Sequence, residues 1–411
     1  MILFFSALAF AEPAVNLEII PSRVEAVVSQ TGPYGNLGDI FANIETWISD
    51  YGWHPTERGV ALLLSNPTAV PPHLLKSEAT IPLNVYGNIL PVVPPNDYGL
   101  SLRDSEPILV LSTEQMGPYD AFAPAYARLH RAMANYNLSF TGVSRELYHN
   151  SPINTDDKDL RTSVQIIVEP IGKADVGVYV GNGGFDSGVV AASHAFAAAG
   201  LSIRPITPEQ INSGKLKKLV RVLYMPGGWA APYVNEISDK GAEHLTTFVE
   251  KGGGYIGVCA GSYYAGKQIR WEEETFDYDL DLFPGTPTGP VVQIKPWPEF
   301  ALTPISLNTN HPITTEQPAT IQGLYYGGPA FLADDGADVT VIGTFDVTNE
   351  PAIVAFNKGK GRVFLSSVHL EYDLTSTDDA TAWPEELKGF EDPESDWGLL
   401  QSATRWLLAN E

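Results

Sequence analysis

Cysteine is almost absent: Cys259 is the only one in 411 residues. No intrachain disulfide can form, so the fold must rest on apolar cores. Basic residues are also scarce, 25 Lys and Arg against 49 Asp and Glu, which sets the formal net charge at −24. Such a surface repels phosphate backbones and anionic lipid, and nucleic acid is not an expected partner. The apolar start, residues 2–10 of "MILFFSALAFAEPAV", is too short to span a bilayer. Ala9-Phe10-Ala11 has the small-x-small form of a signal-peptidase site, but no Lys or Arg precedes Arg23. Residues 1–11 are expected to be an export signal, placing the protein in the periplasm or outside the cell. A buried first strand in a cytoplasmic protein is the other reading.

The composition present is that of a globular protein, 44% hydrophobic and 18% charged. The length predicts two or three domains.

The first 170 residues contain a duplication. "QTGPYGNLGDIFANIETWISDYGW" from Gln30 aligns with "QMGPYDAFAPAYARLHRAMANYNL" from Gln115, an offset of 115 − 30 = 85. Without a gap, Tyr34 matches Tyr119, Tyr51 matches Tyr136 and Pro67 matches Pro152. Each copy reads as strand, helix, strand, strand. Ile40, Ile44, Trp47 and Ile48 are spaced for one helix face, and "ALLLS" with "ATIPL" alternates as strands do. Two such β-α-β-β modules can pair into one pseudo-symmetric domain with a cleft between them.

"GPYDAFAPAYARLHRAM", "RELYHNSP" and "DLRTSVQIIVEP" resemble the gyrase-inhibitor-like effector-binding domain found behind AraC- and MerR-type DNA-binding heads. The resemblance implies a small-molecule cleft over residues 12–170, with Tyr34 and Tyr119 beside it and the pocket acid at Glu146. The first-copy counterpart of Glu146 is Ala61, so one copy alone supplies that charge. A carboxylate in an apolar cleft favours a cationic ligand; Glu146 can also be read as an ordinary exposed strand residue. No helix-turn-helix precedes the domain, which argues against a transcription factor.

Beyond residue 170 the texture changes. "DVGVYVGNGG", "LVRVLYMPGGW" and "GYIGVCAGSYYAG" are apolar strands ending in glycines, separated by helical stretches such as "GVVAASHAFAAAG". This alternation predicts a mostly parallel α/β sheet over residues 171–411, with its site beyond the carboxyl ends of the strands. The chain as a whole is therefore expected to be α+β followed by α/β.

Gly257-Val258-Cys259-Ala260-Gly261 has the glycine-flanked form of a nucleophile elbow. A strand-to-helix turn would expose the thiol and aim helix N–H groups at it. A lone cysteine is also a small hydrophobe that fits a core. Pro226-Gly227-Gly228-Trp229 ends the preceding strand, so Gly228 N–H and Ala260 N–H are candidate oxyanion donors; the same tetrapeptide can be a plain turn. Of eight histidines, His369 follows an apolar strand and stands two residues before Glu371, on the same side. The acidic segment "TSTDDATAWPEELKGFEDPESDW" reads as a cap, a weak cation site or a solvated loop.

"MPGGWAAPYVNEI", "VEKGGGYIGVCAGSYYAG", "DLFPGTPTGP" and "YYGGPAF" resemble, in order, the blocks of the biotin-protein-ligase N-terminal family. That family lies among the class I glutamine-amidotransferase-like domains. The resemblance implies a flavodoxin-like domain with Cys259 as nucleophile, His369 as base and Glu371 as orienting acid. Three departures bear on the chemistry. Nothing in the chain resembles a biotin-ligase catalytic domain. Ser262-Tyr263-Tyr264 stands where glutamine-hydrolysing members carry Gln, and Ala260 follows the cysteine where the protease-like branch carries His. The expectation is a hydrolase or amidotransferase-like enzyme for an acyl or amide bond, or a small-molecule sensor with a relic triad. It calls for no cofactor and no metal, and leaves the oligomeric state open.

Overall fold

The computed structural model describes residues 13–84, 93, 96–97, 99–372 and 395–409. The expected export signal and most of the acidic segment lie outside the described residues. The chain divides into two compact units. Of the described residues, one holds those up to Leu17 with those of Arg23–Ser105 and Val110–Val168; the other holds Glu18–Ser22, Glu106–Leu109 and those from Glu169 onward.

The first unit is built on strands β1 (Val15–Ile20), β2 (Val24–Thr31), β3 (His54–Pro55), β4 (Val60–Leu63), β5 (Lys76–Asn84), β6 (Ser101–Asp104), β7 (Ile108–Met116), β8 (Leu138–Tyr148) and β9 (Arg161–Pro170). Helix α1 (Leu37–Asp50) follows β2, and α2 (Ala123–Ala132) follows β7. The sheet runs β1-β7-β9-β8-β4-β5-β2-β6, with β3 on β5. The duplication is visible as register. Thr31 pairs with Lys76 and Gln30 with Ser77; Met116 pairs with Arg161 and Gln115 with Thr162, each 85 positions later (116 − 31). The two copies meet where β4 pairs with β8, and there Ala61 faces Glu146, its own counterpart. The pseudo-two-fold axis therefore passes between these two residues. Ile44, Trp47 and Ile48 of α1 are buried against Ala26, Ala79 and Ile81 of the sheet. Each large side chain so buried contributes roughly 1.5–3 kcal/mol.

The second unit begins with an alternation of strand and helix that feeds parallel strands. Its parts are β10 (Ala174–Tyr179), α3 (Asp186–Ala198), β11 (Ile203–Ile206), α4 (Pro208–Asn212), α5 (Leu216–Leu219), β12 (Val220–Met225), α6 (Ala230–Glu236), α7 (Asp239–Glu250), β13 (Gly254–Val258) and α8 (Ala260–Tyr264). Strands β14 (Gln268–Trp271), β15 (Glu274–Asp277), β16 (Gly285–Gly289), β17 (Ala301–Leu307), β18 (Thr320–Tyr325), β19 (Ala330–Ala333), β20 (Thr340–Phe345), β21 (Pro351–Lys358) and β22 (Gly361–Ser366) follow, and α9 (Trp397–Leu408) closes the unit. The main sheet runs β11-β10-β12-β13-β22-β21-β20-β17-β18. Pairs from β11 through β22 are parallel; those from β22 through β18 are antiparallel. The expectation of a mostly parallel sheet is thus corrected: half the ladders are antiparallel. Only two residues, Gly359 and Lys360, separate β21 from β22, too few for a crossover, so β21 turns back on β22. A separate four-stranded sheet, β15-β14-β16-β19, follows the elbow helix. Among the described residues no helix is long and apolar enough to cross a membrane.

Candidate active site

Strands β12, β13 and β22 are neighbours, and their carboxyl ends deliver Gly227-Gly228, Cys259 and His369 to one edge of the sheet. Cys259 is held at φ 46°, ψ −105°, a left-handed conformation rare for a residue with a side chain. Such a backbone costs on the order of 1–3 kcal/mol and persists only where its surroundings enforce it. Here they do: Cys259 N–H donates to Ser366 O at 2.9 Å, and Gly261 N–H to Pro226 O at 3.1 Å. The flanking glycines are sterically required. A Cβ on Gly261 would stand 2.2 Å from Met225 O, and one on Gly257 2.6 Å from Gly261 O. The helix after the elbow, α8, is only five residues long, so its dipole is smaller than the sequence suggests.

Cys259 is 4% exposed, and its thiol lies 3.5 Å from Tyr326 O as a donor. His369 is buried, and its main-chain N–H donates to Leu324 O at 2.9 Å. The ring Nδ1 meets Glu371 Oε1 at 2.8 Å, in a pair closed to solvent. With Nδ1 engaged, Nε2 is the nitrogen left for the sulfur. It makes no hydrogen bond of ordinary geometry, although the ring stands close enough to Cys259 to interact with it. Burial pulls the pKa of His369 down, but the Glu371 carboxylate and the Cys259 sulfur outweigh it and hold the imidazole up to about 10. Gly227 lies against the ring, where a Cβ would be 2.2 Å from His369 Cε1. Trp397 Nε1 donates to Glu371 O at 2.6 Å, fixing the backbone of the acid.

Gly228 (φ 142°) and Gly184 form an isolated antiparallel bridge. Its bonds are Phe185 N–H to Gly227 O and Trp229 N–H to Gly183 O, at 2.9 and 2.7 Å. In that pattern the N–H of Gly228 itself points away from the bridge. Ala260, first residue of α8, likewise has a main-chain N–H with no partner inside the helix. Both residues and Cys259 line a cavity of about 250 Å³. Its walls are aromatic: Trp229, Trp271, Trp297, Tyr263, Tyr278 and Tyr326, with Phe276 beside them. The sequence reading missed these rings, because they come from five separate segments with no shared spacing.

The other sequence candidates lie in the first unit. Glu146 is 8% exposed, which corrects its reading as an ordinary exposed strand residue. Tyr126 Oη donates to Oε1 and Tyr148 Oη to Oε2, both at 2.8 Å. Burial raises the carboxyl pKa, and the two tyrosine hydrogen bonds oppose the rise. Tyr34 and Tyr119 are half-buried, and their hydroxyls donate to Ser65 O and Asn150 O at 2.5 and 3.0 Å, equivalent positions in the two copies. What they can offer a ligand is ring surface. Among the described residues no cluster of three metal-ligating side chains occurs.

Fold and site together define an α/β unit with a buried cysteine at a strained strand-to-helix turn, beside a His–Glu pair. The chain belongs to the biotin-protein ligase N-terminal family, whose model matches residues 174–393. An uncharacterized protein of Chlamydia muridarum is 29% identical over 165 residues, 38% of this chain and 62% of that one. The biotin–protein ligase of Schizosaccharomyces pombe is 27% identical over 165 residues, 37% of this chain and 25% of the ligase. The match thus spans less than two thirds of either relative. Among solved structures, a glutamine amidotransferase is 20% identical, with 48% of this chain and 90% of that chain covered and a TM-score of 0.37. The EcmrR C-terminal domain is 18% identical, with 39% and 99% covered and a TM-score of 0.33.

Proposed function

We propose that the second unit is an acyl-transfer enzyme, a hydrolase or amidotransferase-like catalyst working through a Cys259 thioester. The observation that carries this reading is the buried His369–Glu371 pair beside the sulfur of a strained elbow. Glu371 holds the imidazole so that Nε2 faces the reaction, and it stabilises the imidazolium. The thiolate attacks a carbonyl carbon and the new C–S bond sends an electron pair to oxygen, where Gly228 N–H and Ala260 N–H would receive it. Collapse breaks the bond to the leaving amine or alcohol, which takes its proton from His369. Water then adds to the thioester with His369 as base; the acid departs and the proton returns to sulfur.

The test is the rate of Cys259 alkylation by iodoacetamide at neutral pH. The buried His369–Glu371 pair beside the sulfur favours the reactive thiolate, so native Cys259 should react at least about tenfold faster than in His369→Ala. Equal rates would sink the nucleophile assignment and leave the triad a relic.

The first unit is proposed to bind a small cationic or aromatic molecule at Glu146, a reading favoured by the burial of that carboxylate among Tyr126, Tyr148 and Tyr34. Glu146→Gln should weaken binding of ethidium, followed by fluorescence, at least tenfold; unchanged binding refutes the assignment.

A further inference from the structure

We propose that the cavity beside Cys259 is an acyl pocket for an uncharged aromatic or bulky apolar group, and that glutamine is not its substrate. The inference rests on the Cys259 reading above and names its substrate class. Position comes first. The cavity is bounded by the sulfur and by Gly228 and Ala260, whose N–H groups would hold the carbonyl oxygen, so a carbonyl seated there carries its acyl substituent into the cavity.

Charge comes second. Glutamine brings an ammonium and a carboxylate, and each needs a partner when taken out of water, or costs several kcal/mol. Among the described residues that line the cavity none but the reacting Cys259 offers a charge, and no side chain there can pair with an ammonium and a carboxylate together. Size and shape come third. An apolar cavity of roughly 150 Å³ accepts a benzene ring; this one, about 250 Å³, has room for a ring and a short linker. The walls are held in place by one another. Trp297 stacks on Tyr326 at 4.8 Å between ring centres and meets Trp229 edge-on at 5.0 Å. Gly327, at φ 74°, lets Trp297 close in, since a Cβ there would be 2.8 Å from Trp297 Cε3. Trp229 and Phe276, 50% and 41% exposed, keep apolar surface open to water beside the cavity, as an entrance for an apolar group would.

On this assignment the thiolate attacks the carbonyl of an aryl-acyl amide or ester. The C–S bond forms, the C–N or C–O bond breaks, the leaving group takes the His369 proton, and water later releases the aryl acid.

The test has two arms. The native protein is given p-nitrophenyl phenylacetate, p-nitrophenyl acetate and γ-glutamyl-p-nitroanilide. The phenylacetyl ester should exceed the acetyl ester at least tenfold in kcat/KM, with no release from the glutamyl compound. Equal rates for the two esters, or a faster glutamyl reaction, would overturn the proposal. The second arm needs no chemistry at sulfur. Cys259→Ala is titrated with phenylacetamide, glutamine and benzyltrimethylammonium while tryptophan fluorescence is read. Phenylacetamide should saturate and glutamine should not. Adding Ala231→Asp, which sets a carboxylate in the wall, should weaken phenylacetamide at least tenfold. Failure of phenylacetamide to bind, or tighter binding of glutamine or of the quaternary cation, overturns the pocket assignment. If phenylacetamide binds as expected but native Cys259 behaves as an ordinary thiol, the pocket stands and only the nucleophile reading falls.

Discussion

A single methyl group at position 227 would occupy the space of the imidazole. Gly227→Ala places a carbon 2.2 Å from His369 Cε1, in contact with a ring that is itself fixed by Glu371. The base must move, and a displacement near 1 Å costs on the order of 100-fold in a positioned reaction. Gly227→Ala is therefore expected to lower kcat on an ester substrate about 100-fold and to slow alkylation of Cys259 toward the rate in His369→Ala, both read by stopped assays. A variant with native kinetics would show that the ring position does not matter. Protonation of His369 also enters stability. Its pKa in the fold lies above the unbound value of 6.5, so the contribution is complete below that pH and is lost as pH rises through about 10.

Helices and strands carry the next layer. The pairing of Ala61 with Glu146 across β4 and β8 puts these residues side by side in a buried sheet. Ala61→Glu would set two carboxylates there, and like charges in contact cannot both ionise cheaply. Thermal unfolding of Ala61→Glu should fall at neutral pH by an amount equivalent to about 2–4 kcal/mol, and the deficit should shrink by pH 4, where one proton can be shared. A loss independent of pH would mean crowding, not charge. At this scale much was legible in advance. The two copies of strand-helix-strand-strand stood out because a gapless 85-residue offset carries the β2–β5 register onto β7–β9. The glycine-ended apolar strands β10, β12 and β13 announced the parallel half of the second sheet, and the elbow and His369-x-Glu371 followed from strand ends. The small sheet of β14, β15, β16 and β19 did not, because its strands are four or five residues long and partly polar. Nor did the aromatic cavity, whose Trp229, Trp271 and Trp297 converge only when the chain folds.

For the whole molecule, two units mean two cores. Ile44 is wholly buried in the first, among Ala26, Ala61 and Ile81, while Leu223, Tyr255 and Leu365 belong to the second. Ile44→Ala should destabilise the first unit by about 2–5 kcal/mol, seen as an earlier transition in calorimetry, while the alkylation kinetics of Cys259 stay native. Parallel loss of both would show that the units unfold as one. The axis through Ala61 and Glu146 carries a consequence about ancestry. In a dimer of identical modules, whatever stands on the axis must face a copy of itself, so an acid there is always doubled. Joining the modules in one gene removes that constraint at one position in particular. One copy could keep the acid and the other discard it, an asymmetry no symmetric pair of chains can encode.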